Sequence, residues 1–141
     1  MKSSISVIAL DKRFKNLEKD FKKTISTLVQ FLGLDRVEFE VYLVSRRMMR
    51  EINHRFLGKN EPTNILSFTL PREFPQAPSL TKRLGEIYLC PPVARERKEK
   101  FEALLTHGLL HLLGFNHDLK NARMGMEKLE LNFIEWLKQR S

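Results

Sequence analysis

The stretch THGLLHLLGFNHD (residues 106–118) holds three of the four histidines of this 141-residue chain inside mostly apolar sequence. Its apolar residues continue to Gly114, which predicts a buried helix that ends at that glycine. His107 and His111 are four residues apart, so their rings lie on one side of the helix, about 6 Å apart at Cβ. His117 follows the glycine, and a chain that turns back there brings a third ring to the same point.

Three neutral imidazoles in this arrangement are typical of a catalytic zinc site, because they leave the fourth position of a tetrahedral ion open. Such an ion lowers the pKa of bound water to about 7. The alternative is a set of core histidines that hydrogen-bond to the backbone. Burying three unpaired imidazoles is costly, so we favour one Zn²⁺, or another divalent ion, held by His107, His111 and His117.

Outward from the histidine helix, hydrophobic periodicity predicts the element order β-α-β-α-β-β-α-α. Strands are expected at residues 4–10, 37–44, 65–70 and 85–90, and helices follow Asp11 and Ser45 and span residues 93–113 and about 122–139. A segment with three prolines, residues 71–83, is expected to be a loop. The direct connection between the last two strands suggests one antiparallel strand at an edge.

These elements predict one α+β domain over residues 1–141, with a small mixed sheet of about four strands, one of them an antiparallel edge strand. Several helices pack on the sheet, and the histidine helix is central and buried. We find no internal repeat or linker in the sequence, which favours a single metal-dependent hydrolase domain.

The charge balance favours a polyanionic partner. The chain has 25 Lys and Arg against 17 Asp and Glu, a formal charge of +8 and a pI near 9.8. Phosphate contacts are one use of such an excess, and a protein that is merely basic is the other interpretation. No apolar run is long enough for a membrane span, and the single cysteine, Cys90, cannot form an internal disulfide, so we expect a cytoplasmic protein without a membrane partner.

HGLLHLLGFNH (residues 107–117) is similar to the metzincin pattern H-E-x-x-H-x-x-G-x-x-H except at one position. Gly108 stands where the proteases carry the glutamate that acts as general base. The spacing therefore indicates a metzincin-like metal helix without the protease base, and it favours hydrolysis of something other than a peptide.

The same stretch resembles the H-G-x-L-H-L-x-G-x-x-H signature of the YbeY family of metal-dependent endoribonucleases in rRNA maturation. INHRFLGKNEPTNILSF (52–68), LGEIYL (84–89) and MEKLE (126–130) are also similar to segments of that family. The chain departs from the family at Asn116, where aspartate is usual, and at Leu57, where many members carry a functional arginine. Arg55 is the arginine nearest to Leu57.

Other residues are weaker candidates for the site. Glu86 begins a strand that we expect beside the histidine helix, where it would orient a ligand or accept a proton, unless it is only an exposed strand carboxylate. Arg55 is a candidate catalytic residue that stabilises charge on a scissile phosphodiester. Candidate RNA contacts, which are equally compatible with a solvated surface, are Lys59, Lys82 and Arg83.

The resemblance implies a zinc-dependent single-strand endoribonuclease that acts in rRNA processing and ribosome maturation. Its implied partners are RNA, above all rRNA of the small ribosomal subunit, and ribosomal proteins. Two alternatives stay open: a non-catalytic, metal-stabilised assembly factor that binds RNA, and a metalloprotease-like hydrolase with an unusual base. Gly108 is the main obstacle to the second alternative.

Overall fold

The computed structural model describes residues 3–70, 81–114 and 120–140. His117, together with Asn116 and Asp118, lies outside these ranges, as does most of the proline-containing segment. The described strands are β1 (Ser4–Ala9), β2 (Val37–Leu43), β3 (Ile65–Thr69) and β4 (Lys82–Leu89). The helices are a 3-10 helix (Lys12–Leu17), α1 (Glu18–Phe31), α2 (Arg46–Leu57), α3 (Pro91–Glu96), α4 (Phe101–Leu112) and α5 (Lys120–Arg140).

The four strands form one sheet in the order β1-β2-β4-β3. β1, β2 and β4 are parallel, and β3 pairs antiparallel with β4 at the edge. The antiparallel pair β3–β4 is formed by consecutive strands, whereas the parallel pairs are joined through helices. The predicted α+β fold with one antiparallel edge strand is confirmed. None of the helices in the described ranges has the length and apolarity needed to cross a bilayer.

One face of the sheet carries the main core. Alternate residues of β2 are buried, and the apolar residues of β4 continue the same layer. α1, α4 and α5 bury their apolar sides against this layer, with Ile25, Leu105, Leu109 and Phe133 fully excluded from solvent. Each such side chain contributes about 1.5–3 kcal/mol through burial, so this face holds α4 and its histidines in place.

The opposite face is polar and half-exposed. Tyr42 and Tyr88 stack there with their ring centroids 5.1 Å apart. Met49 of α2 packs near one end of the sheet in a smaller cluster with Val44, Cys90 and Val93. We call this the α2 face and the first one the α4 face.

β4 begins at Lys82, so the prediction that Lys82 and Arg83 lie in a loop was wrong. Arg83 pairs in register with Glu38 and donates to Glu38 Oε1 at 3.1 Å and to Glu40 Oε2 at 2.7 Å. The register then shifts, and Gly85 has φ 143° with its Cα facing the Phe68 carbonyl. A Cβ on Gly85 would lie 2.0 Å from that oxygen. This irregularity interrupts the period-two pattern that marks a strand in the sequence.

The single helix predicted over residues 93–113 is two helices, α3 and α4, with a break at residues 97–100. Lys98 adopts a left-handed conformation with φ 56°, and Glu99 N donates to Ala94 O at 2.9 Å. The Glu99 carboxylate accepts from Asn64 Nδ2 at 3.0 and 3.1 Å. This contact with the turn before β3 stabilises a helix break that no glycine in the sequence indicates.

Candidate active site

Two of the three predicted ligands lie together on α4. The ring centroids of His107 and His111 are 4.7 Å apart with an interplanar angle of 67°. Both residues are partly buried, so their rings reach the surface at the edge of the core. The structure thus confirms that the two rings share one side of the helix. Since His117 lies outside the described ranges, the three-histidine ligand set stays a prediction. The described residues alone contain no cluster of three metal-binding side chains.

Glu130 of α5 contacts the first of these histidines. Its Oε1 lies 3.1 Å from His107 Nδ1, and the two side chains are 20% and 30% exposed. An ionised carboxylate only accepts hydrogen bonds, so His107 Nδ1 is the donor in this contact. Sequence reasoning assigned no role to Glu130. The available signal was a carboxylate on the apolar side of the last helix, next to Leu129 and one turn before Phe133.

Gly108 lies where α4 approaches the sheet most closely. A Cβ there would be 2.9 Å from Ile65 Cδ1 and 3.2 Å from Ser67 Oγ. Ser67 Oγ also donates to the Gly108 carbonyl at 3.1 Å. A side chain at this position points into the sheet, away from the solvent-facing rings. Packing therefore requires the glycine that stands where a metzincin carries its base.

A cavity of about 400 Å³ opens beside His107. Its floor and walls include Ile65, Ala103 and Leu104, and its polar lining comes from Asn64, Glu99, Lys100, His107 and Glu130. The helix break before α4 brings Glu99 to this cavity, and α5 brings Glu130. Three separate segments thus surround one histidine, in a space large enough for part of a nucleotide.

Comparison with known proteins agrees with this geometry. The sequence model of the family described as endoribonuclease YbeY matches residues 6–138. An endoribonuclease YbeY of Thermotoga neapolitana is 30% identical, and the match covers 90% of this chain and 86% of that protein. The relative of the same name in Syntrophus aciditrophicus is 30% identical, with coverages of 95% and 91%. The chain belongs to the endoribonuclease YbeY family.

A solution structure of a Thermotoga maritima protein has the same fold, with a TM-score of 0.58, 30% identity and coverages of 96% and 93%. Membership in the endoribonuclease YbeY family makes this chain a hydrolase that acts as a nuclease on RNA. The resemblance seen in the histidine segment is confirmed, and the family is one of metal-dependent nucleases.

Glu86 does not lie beside the histidine helix. Ile87 faces α4, with its Cδ1 3.3 Å from the position of a Gly108 Cβ, so the preceding residue in β4 points to the α2 face. There Glu86 Oε2 accepts from Tyr88 Oη at 2.8 Å, beside a cavity of about 220 Å³ that Phe56 and Phe68 also line. Burial, and then this hydrogen bond, raises the pKa of Tyr88. The expected position of Glu86 was wrong, because the strand alternation separates it from Ile87.

Arg55, the arginine nearest to Leu57, is exposed on α2. Its Cζ lies 5.9 Å from the centroid of the Phe56 ring. Lys59 follows Gly58, whose φ of 72° ends α2. Among the described residues, the lining of the cavity beside His107 includes neither Arg55 nor Lys59. Their contacts with RNA stay predictions.

Arg83 is engaged within the sheet. Hydrogen bonds to Glu40, and then to Glu38, raise the pKa of its guanidinium, and both carboxylates lie on the α2 face. Its charge is therefore neutralised locally, on the side of the sheet away from the histidines. Lys82, one residue earlier, is exposed at the start of β4.

Proposed function

We propose that this chain is a zinc-dependent single-strand endoribonuclease that cleaves rRNA during ribosome maturation in the cytoplasm. The observation that carries the proposal is the His107–His111 pair, with Glu130 on Nδ1 of the first ring and a nucleotide-sized cavity beside it. Family membership supports the nuclease activity. The small-subunit rRNA and the ribosomal proteins are proposed as partners because of the resemblance and the positive net charge.

The donor atoms of the described residues fit a zinc-like ion. Imidazole nitrogens suit zinc, and a ligand histidine in such sites donates its other ring N–H to a carboxylate, as His107 does to Glu130. His107, His111 and His117 would hold the ion. When bound, the ion would lower the pKa of water and polarise a phosphoryl oxygen.

The chain's own residues position the substrate and the ligands. Glu130 fixes the orientation of the His107 ring, and the bond from Ser67 to the Gly108 carbonyl fixes α4 against the sheet. Leu104 and Ile65 exclude water from one wall of the cavity. Lys100 places a positive charge at the cavity, suited to a phosphate of the RNA. Arg55, Lys59 and Lys82 are proposed as further phosphate contacts outside it.

Three histidine variants of the protein test this function. His107→Ala and His111→Ala should each lose bound zinc and cleave a single-stranded rRNA fragment at least ~100-fold more slowly, because the ion is needed to activate water. His54→Ala is the matched control, since His54 is the fourth histidine and lies exposed on α2. It should keep both the metal and the activity.

Elemental analysis and cleavage rates are the two measurements, with circular dichroism as the check on folding. A folded His107→Ala protein that binds the RNA as before and cleaves it at the wild-type rate would make the non-catalytic assembly factor the better description. Chelator-sensitive cleavage of casein in place of RNA would favour the metalloprotease instead.

A further inference from the structure

We infer that the cavity beside His107 is a nucleobase subsite that selects a base with an exocyclic amino group over uracil. This inference rests on the proposed endoribonuclease function and names a specificity for the same site. It is carried by the polarity of the cavity's described lining, which combines an apolar wall with carboxylate acceptors. Glu99 is the residue that reads the base.

The shape of the cavity suits a flat ring. Its volume is about 400 Å³, and Ile65, Ala103 and Leu104 supply an apolar surface on which one face of a base can lie. Small-molecule sites commonly combine such a surface with a few polar groups that fix orientation. Here those polar groups come from Asn64, Glu99, Lys100 and Glu130 in addition to His107.

The hydrogen-bonding groups of Asn64 are already used. Its Nδ2 donates to both oxygens of Glu99, at 3.0 and 3.1 Å. Its Oδ1 accepts from Ile65 N at 2.7 Å and from Thr63 Oγ1 at 3.3 Å. Asn64 therefore acts as a holder that keeps the Glu99 carboxylate in one orientation. Among the described residues, only Asn64 donates to that carboxylate, and each carboxylate oxygen has two lone pairs, so the others can accept from a ligand.

An acceptor in a fixed position distinguishes cytosine from uracil. The two bases have nearly the same shape, but cytosine presents an amino donor where uracil presents a carbonyl oxygen. A carboxylate accepts from the amino group and repels the carbonyl, and a contact of this kind is worth roughly a 5- to 150-fold preference. Adenine and guanine also carry exocyclic amino groups and are compatible with the same acceptor.

The base can present that edge only when it is unpaired, which agrees with a single-stranded substrate. Lys100 directly follows Glu99 and is exposed, so its ammonium group is suited to the phosphate of the same nucleotide. The subsite thus has a part for each portion of the nucleotide: an apolar wall, an acceptor for the base edge and a cation for the phosphate.

The test is a set of single-stranded RNAs that differ only by cytosine or uracil at each position around the cleaved bond. The wild-type, metal-loaded protein should show a kcat/KM ratio of about 5 to 150 for cytosine over uracil at one position. In Glu99→Gln that ratio should fall to one or below, because the amide oxygen stays with Asn64 and the amide NH2, a donor, then faces the base. Asn64 Nδ2 can still donate to the glutamine oxygen, so the fold is retained.

Glu96→Gln is the matched control. Glu96 lies three residues earlier at the end of α3, is 64% exposed and pairs with Arg46. This variant should keep the wild-type ratio. A wild-type ratio near one at every position, or a ratio that survives in Glu99→Gln, overturns the subsite.

Binding of cytidine and uridine 5′-monophosphates, followed by NMR shifts of residues around the cavity, separates the subsite from the function. If the wild type cleaves no RNA but binds the cytidine nucleotide more tightly, the endoribonuclease proposal fails and the subsite stands. Equal binding of the two nucleotides, with shifts that Glu99→Gln leaves unchanged, contradicts the subsite whatever the cleavage result.

Discussion

The two faces of the sheet differ in what they do with charged side chains. On the α4 face the sheet is apolar and buried. The polar groups lie at its edge, where His107, Glu130 and Glu99 line one cavity. On the α2 face, Arg83, Glu38 and Glu40 form ion pairs across neighbouring strands. Ile87 and Glu86 are adjacent in sequence and belong to different faces. A carboxylate can thus be next to a core residue in sequence and still lie across the sheet from the reaction.

The comparison also explains why a glycine stands between His107 and His111. The α4 face has no room for a side chain at position 108, since helix and sheet are in contact there. The α2 face has space, including the cavity of about 220 Å³ lined by Phe56, Phe68 and Glu86. Substitutions on the two faces should therefore differ in the size of their effects.

The largest effect is expected where the α4 face is tightest. Gly108→Glu places a carboxylate against Ile65 and Ser67 without a partner, and it should lower the free energy of unfolding by more than about 3 kcal/mol. Urea denaturation measures the change. Gly125→Ala is the control on α5, where a Cβ would meet no atom of the described residues within 4 Å. That variant should gain about 0.5–1 kcal/mol, as alanine does over glycine in a helix. Equal stability of Gly108→Glu and the wild type would contradict the close packing.

The next effect compares two carboxylates on different faces. Glu130→Leu should weaken zinc binding about 10- to 100-fold, because His107 loses the acceptor that fixes its ring. Glu130→Gln keeps a neutral acceptor and should lie between that variant and the wild type. Glu86→Gln should leave the affinity unchanged, since Glu86 lies on the α2 face. Chelator competition measures the affinity, and nitrogen NMR of the apo protein should show the Nδ1–H tautomer of His107 in the wild type. Equal losses of zinc affinity for Glu86→Gln and Glu130→Leu would contradict the placement of Glu86 and His107 on opposite faces of the sheet.

A smaller effect is expected within the α2 face. Arg83 and Glu40 are 32% and 18% exposed, and a double-mutant cycle with Arg83→Met and Glu40→Gln should give a coupling of about 0.5–1 kcal/mol. The coupling should shrink at high salt. The exposed pair of Arg47 and Glu51, 3.6 Å apart, should give almost none. Equal couplings for the two pairs would show that the sheet adds nothing to the Arg83 contact.

The smallest effect appears only at alkaline pH. Burial raises the pKa of Tyr42 and of Tyr88 above the ordinary value of 10.0, with Glu86 contributing to both shifts. Since the folded-state pKa is the higher one, the stabilisation is present below pH 10 and is lost as the pH rises further. In an absorbance titration, tyrosinate should form at higher pH in the native protein than in urea. Tyr88→Phe should remove half of the signal, and coincident native and unfolded curves would contradict the burial of these rings.

The sequence predicted most of the fold because the two hydrophobic periods are clear in it. The alternation in β2 and the four-residue spacing of His107 and His111 are local patterns, and the structure confirms both. The alternation in β4 also placed Glu86 and Ile87 on opposite faces of the sheet. The position of Glu86 was therefore predictable from the sequence, given the further inference that α4 packs on the apolar side.

Other features depend on contacts that no local pattern encodes. The break before α4 rests on a left-handed Lys98 and on the bond from Asn64 to Glu99, 35 residues apart. The register shift between β2 and β4 lies at Gly85, which closely approaches the Phe68 carbonyl of β3. The contact between His107 and Glu130 joins residues 23 positions apart on different helices. Each of these becomes visible only when distant segments are brought together.

The hydrogen bond from His107 of α4 to Glu130 of α5 also couples the ligand site to the position of α5. If docking of α5 orients the His107 ring for a ligand, then by thermodynamic reciprocity occupation of that ring by a ligand favours the docked position of α5. The two helices therefore share one equilibrium. Amide hydrogen exchange along residues 127–139 becomes a reporter of whether a site on a different helix is occupied, and it does so without a substitution at the site.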